Sequence, residues 1–117
     1  MTLLARIAVV VAVTIGVLFT LRASQAANES EATRLVDKFK CVHHYEGAWT
    51  SNTGNGYFGG FQMDRTFERT YGGEFLRVFG DANHWPPALQ LAVAIRAWTH
   101  RGFRPWPNSA RLCGLLP

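Results

Sequence analysis

The chain has 117 residues, 48% of them hydrophobic and 13% aromatic, with 12 Lys or Arg against 8 Asp or Glu. That is room for one domain of ordinary globular composition. A net charge of +4 spread thinly lacks the dense basic stripe of a nucleic-acid binder, and two distant cysteines make neither a zinc cluster nor a CxxC redox motif.

Ile7 to Leu21 is an apolar run of 15 residues, preceded by Arg6 and followed by Ala23-Ser24-Gln25-Ala26-Ala27. Basic, apolar, then small is the order of a secretory signal, and Ser24-x-Ala26 fits its cleavage site. The run falls short of the roughly 20 residues a spanning helix needs. Residues 1–26 are therefore read as a signal peptide, with an uncleaved membrane anchor as the alternative, and 27–117 as the exported domain. Arg6 and Arg22 lie in the leader, which holds no acid, so the remainder carries 10 basic against 8 acidic residues, a balance of +2.

Asn28 to Glu46 is predicted to be the first helix, with Asn28 and Glu31 in a capping-box pattern. Leu35, Phe39, Val42 and Glu46 follow spacings of 4, 3 and 4, which place them on one stripe. Glu46 thus ends an apolar line, and Gly47 follows as a natural stop. Thr53-Gly54-Asn55-Gly56 is turn chemistry. A short two-stranded excursion is expected around it, Trp49–Thr50 against Phe58–Phe61, with Gly59-Gly60 permitting close approach. Asp64 caps a short helix over 65–71, and a second over 74–79 should bury Phe75, Leu76 and Phe79. Pro86-Pro87 opens a helix running to about Arg101, apolar almost all round and so read as central, with Trp98 in the core. The segment from Phe103 to Pro117 is expected to be an irregular strap.

Cys41 and Cys113 remain in an exported chain, and an oxidising compartment favours pairing them. Such a bridge would close a loop of about 70 residues, worth on the order of 4 kcal/mol by chain entropy. The alternative is two free buried thiols.

A glutamate on an apolar stripe has its charged form disfavoured by burial, and a carboxyl still protonated near neutrality can donate to a leaving oxygen. The alternative is that Glu46 sits at a frayed helix end and swings into water. Metal chemistry has little to stand on: His43 and His44 diverge by about 100° on a helix, and no HExxH or paired CxxC occurs. No cofactor motif is present either. Trp49 and Tyr57 beside Asn52, Thr53, Asn55 and Gln62 suit sugar rings, whose apolar faces are ringed by hydroxyls.

The segment W-x-x-NTGNGY-x-GG-x-Q, Trp49 to Gln62, resembles the resuscitation-promoting factor and transglycosylase-like family of actinobacterial cell-wall enzymes. The resemblance continues through Leu89-Gln90-Leu91-Ala92-Val93-Ala94 and Gly102-x-x-x-x-Trp106-Pro107 to Cys113-Gly114. It implies an α+β, mostly α, compact lysozyme-like domain with a short β excursion after the first helix. It also implies a Cys41–Cys113 bridge and a catalytic glutamate falling on Glu46. In typical members that glutamate follows the cysteine directly and precedes the tryptophan by five residues. Here Val42 follows Cys41, Glu46 precedes Trp49 by three, and a gapless alignment would put His44 in the slot.

The resemblance further implies a secreted, monomeric enzyme at the cell wall. It would cut peptidoglycan glycan strands between N-acetylmuramic acid and N-acetylglucosamine, with Trp49, Asn52, Thr53, Asn55, Tyr57 and Gln62 binding sugar. The absence of a second acid in the Thr50–Gln62 turn points to lytic transglycosylation rather than plain hydrolysis. The displaced glutamate motivates the alternative, a peptidoglycan-binding module with weak or no catalysis.

Overall fold

The computed structural model describes residues 2–117, which divide into one unit up to Val36 and another from Asp37 to Pro117. The fold is mostly helical with one two-stranded sheet.

Helix α1 runs Leu3–Glu46, so it does not begin at Asn28. Asn28 and Glu31 are exposed residues inside the helix, and the expected capping box is not formed. The physical reason is local: Ala23-Ser24-Gln25-Ala26-Ala27 contains no Gly or Pro, and alanine is the strongest helix former. In the first unit an 18-residue window of mean hydropathy 2.4 is wholly exposed, long and apolar enough to cross a membrane. That is compatible with a signal or an anchor.

In the second unit the last turns of α1 bury Phe39 and Val42 completely, as their spacing predicts. Phe39 meets the rings of Phe61, Phe103 and Trp106 with centroids 5.2–5.8 Å apart. The bridge Cys41–Cys113 then ties this end of α1 to the chain 72 residues on.

The loop after α1 departs from the expected hairpin. Strand β1 (Tyr57–Phe58) pairs forward with β2 (Met63–Asp64), Tyr57 opposite Asp64 and Phe58 opposite Met63. Only an isolated bridge, Asn52 to Phe58, reaches back. Pairing forward requires a tight reversal at 59–62. The Gln62 N–H bonds the Gly59 carbonyl, with positive φ of 72° at Gly59 and 48° at Gln62. Trp49 cannot join a ladder because its carbonyl accepts from Gln90 Nε2 at 2.9 Å.

Helix α2 (Arg65–Phe79) is capped by Asp64, whose side chain accepts from the Phe67 N–H, and it kinks at Gly72. A side chain at Gly72 would press within 3 Å of Trp85 and Val93, so the glycine that breaks the helix also lets it pack. Phe79, expected to be buried, is 41% exposed at the helix end, where Gly80 turns the chain away. After a 3-10 turn (Ala82–His84), α3 (Pro87–Arg101) buries Gln90, Val93, Ala94 and Ala97. One face is therefore buried, and Trp98 is only half-buried. The expected strap contains a helix, α4 (Pro107–Leu112), started by Pro107 at its first position.

Gln90 is the polar knot of this unit. Wholly buried, it accepts from the Gly60 N–H at 2.8 Å and donates to the Trp49 and Trp85 carbonyls, both at 2.9 Å. A Cβ at Gly59 would lie 2.4 Å from Gln90 Oε1, and one at Gly60 2.6 Å from both His43 and Trp49. The Gly-Gly pair lets side chains close on the backbone here.

Candidate functional site

Glu46 is the last residue of α1 and is half-buried. It lines a hollow of about 290 Å³ with Tyr57, Gln62, Pro105, Trp106, Pro107 and Asn108. The stripe explains its position: one turn beyond Val42, it emerges from the core edge instead of joining His44 and Lys40 on the exposed side. Burial pushes its pKa above the ordinary carboxylate value, and the Ser109 hydroxyl, which donates to Glu46 Oε1, partly offsets this. Ser109 itself is buried on α4. The carboxyl is therefore both held in place and biased toward its protonated form.

Trp106 walls the hollow. Its indole N–H donates to the Phe61 carbonyl at 2.9 Å, and prolines on either side restrict its backbone. A second hollow, about 280 Å³, shares Tyr57, Gln62, Pro105 and Trp106 with the first. It continues along Asp64, Thr66, Thr70, Tyr71 and Arg101. The two adjoin across those four residues.

Of the residues singled out from sequence, Glu46, Tyr57 and Gln62 meet at one hollow. Gln62 is fixed by donating through Nε2 to the Gly59 carbonyl at 3.0 Å. Trp49, Asn52, Thr53 and Asn55 line neither hollow. Trp49 lies flat against His43, ring centroids 3.7 Å apart, and His43 Nδ1 is 2.9 Å from the Gly60 carbonyl. Asn52 and Asn55 accept from the N–H groups of Gly54 and Tyr57, two residues on, and Thr53 is exposed between them. These three belong to the turn's own construction. His44 is exposed and packs edge-on against Tyr45.

Sequence reasoning missed Ser109, Asn108 and, beyond Tyr57 and Gln62, the lining of the second hollow. The Pro105-Trp106-Pro107 run was a usable signal, because an aromatic side chain between two prolines is held rigidly. Ser109 gave none, since its partner lies 63 residues away. Among the described residues, no group of three or more His, Cys, Asp or Glu could hold a metal ion.

Residues 39–109 match the family described as transglycosylase-like domain. The chain is 36% identical over 69 residues to resuscitation-promoting factor Rpf1 of Corynebacterium glutamicum, which covers 59% of this chain and 35% of that protein. It is 39% identical over 62 residues to resuscitation-promoting factor RpfB of Mycolicibacterium smegmatis, covering 52% and 16%. The matched region thus spans about a third and a sixth of these relatives.

Proposed function

We propose that this chain, which belongs to the transglycosylase-like domain family, cleaves the glycan strand of peptidoglycan at the cell wall, with Glu46 as its general acid and base. The observation that carries the reading is a half-buried carboxyl of raised pKa lining a hollow walled by an aromatic ring. Protonated Glu46 donates to the oxygen linking N-acetylmuramic acid to N-acetylglucosamine, and the C–O bond breaks as positive charge develops at the muramic C1. The resulting carboxylate takes the proton of the muramic 6-hydroxyl as that oxygen bonds C1, closing an anhydro ring. No second carboxylate lines the Glu46 hollow, which favours this route over hydrolysis. Asp64, in the adjoining hollow, is engaged as the cap of α2.

In this reading Tyr57, Gln62 and Trp106 touch sugar. Trp49, Asn52, Thr53 and Asn55 act by shaping the loop that carries Tyr57 and Gln62, and Ser109 positions Glu46. The apolar start of α1 delivers the domain outside the membrane as a signal or an anchor, and the domain works as a monomer.

The test is Glu46→Gln on purified wall. Release of muropeptides should cease while the melting curve stays in place, and unchanged release would remove Glu46 from the mechanism. Mass spectrometry of wild-type products separates the routes: anhydro ends mark transglycosylation and free reducing ends mark hydrolysis. Glycan binding with no product at all would favour a binding module, the reading motivated by the short spacing from Glu46 to Trp49.

A further inference from the structure

The second hollow contains a cation that the proposed chemistry does not use. Arg101 is the last residue of α3, exposed, and lines the hollow with Thr66, Thr70 and Tyr71. Among the described residues the ion pairs are Lys40–Asp37, Arg65–Asp81 and Arg96–Glu74, so Arg101 has no acidic partner. Arg65 and Arg96 are spent on structure, and Arg69, Arg77 and Arg104, which are also outside these ion pairs, line neither hollow, so Arg101 is singled out by its place in one. A basic residue in a helix's last turn complements the helix dipole, but His100 occupies that turn too, and the dipole does not require a side chain in the hollow. Asp64, the hollow's one carboxylate, accepts from the Phe67 N–H at 2.7 Å and is occupied as a cap. A guanidinium beside hydroxyls at the end of a sugar-sized groove is matched to a carboxylate, which it can hold through two parallel N–H donors.

We infer that the hollow around Arg101 binds a carboxylate of the wall glycan, so that the enzyme selects charged muramyl strands over neutral amino-sugar polymers. The inference rests on the proposed glycan-cleaving function, and names the part of the substrate that extends past Gln62. The carboxylate has two sources in such a polymer: the lactyl group of an unsubstituted muramic acid, or the peptide stem attached to it.

The experiment measures binding of four probes to the full chain carrying Glu46→Gln, which prevents turnover, with and without Arg101→Gln or Arg101→Lys. The probes are a neutral chitin tetrasaccharide, a stem-free muramyl tetrasaccharide, a stem-bearing one, and the stem-bearing one with its carboxylates amidated. A carboxylate-bearing probe should bind about fivefold more tightly than the neutral sugar, a gain that shrinks in high salt. Arg101→Gln should erase that preference and Arg101→Lys retain part of it. Preference for the stem-free probe assigns the lactyl carboxylate. Preference confined to the stem-bearing probe and lost on amidation assigns the stem. Equal binding of neutral and charged probes, or a preference that survives Arg101→Gln, overturns the inference while leaving glycan cleavage standing. A wild type that binds none of the four and releases nothing from wall overturns both.

Discussion

Replacing Glu68 by glutamine should make the protein more stable at neutral pH and leave it unchanged in acid. Glu68 is completely buried on α2. Its Oε1 accepts from the Ala82 N–H at 2.6 Å, while Oε2 has no donor. The neighbouring group is the Asp81 carboxylate, already taken by Arg65 at 2.6 and 2.8 Å. Burial raises the Glu68 pKa to about 7; the Ala82 N–H opposes this, Asp81 adds to it, and Arg65 offsets it only slightly. A proton on Oε2 gives Asp81 a donor and satisfies the pair. In the unfolded chain the same group titrates near 4.5. Between those values the folded state binds the extra proton, so stability is highest below about 4.5, declines as pH rises to about 7, and is flat beyond. At 1.36 kcal/mol per pKa unit the loss is about 3 kcal/mol. Glutamine keeps the acceptor for Ala82, supplies a permanent donor toward Asp81 and does not titrate. Urea melts followed by tryptophan fluorescence at pH 4.5 and pH 8 should show wild type and Glu68→Gln matching at the lower pH. At the higher pH the variant should lead by up to about 3 kcal/mol. An equal gap at both pH values would refute the assignment, because a packing effect does not depend on pH.

Other perturbations test the site and its supports. Ser109→Ala removes a donor that stabilises ionised Glu46, so the alkaline limb of muropeptide release against pH should move upward. The loss of positioning should lower kcat/KM on the order of tenfold at the optimum. Gly60→Ala would drive a methyl into His43 and Trp49 and should cost roughly 1–3 kcal/mol in a thermal or urea melt. Gln90→Leu leaves the Gly60 N–H and two carbonyls without their partner and should cost about 3 kcal/mol, a larger loss than Gly60→Ala. Cys41→Ala with Cys113→Ala should lower stability by about 4 kcal/mol, measured as the difference in urea midpoint times slope.

Local chemistry was read well from sequence wherever it decides the structure by itself. The Phe39–Val42–Glu46 stripe, the Asp64 cap, the break at Gly72, the Pro87 start and the Gly102 stop are all set by residues within a turn or two. Where the outcome depends on distant partners, the expectation failed. The hairpin register turned on Gln90, 41 residues from the Trp49 carbonyl it holds. The fate of Asn28 turned on an absence: a good N-cap does not stop a helix when nothing upstream breaks one. The α4 helix was hidden because Pro105 and Pro107 read as irregular, although proline at a first helical position is favourable. For the site, Glu46, Tyr57 and Gln62 were legible as an acid beside sugar-like polarity. Ser109 and Arg101 were not, because they come from elements that meet the acid and the turn only after folding.

Glu46 and Ser109 sit near opposite ends of the second unit, and the Cys41–Cys113 bridge brackets them, five residues before one and four after the other. The covalent tie and the hydroxyl that holds Glu46 are therefore parts of one joint. With both thiols reduced, α4 is held to α1 by the Phe39–Trp106 contact and the Ser109 hydroxyl, without a covalent stop. The bridge therefore fastens α4 to the end of α1 within five residues of the point where Ser109 meets Glu46.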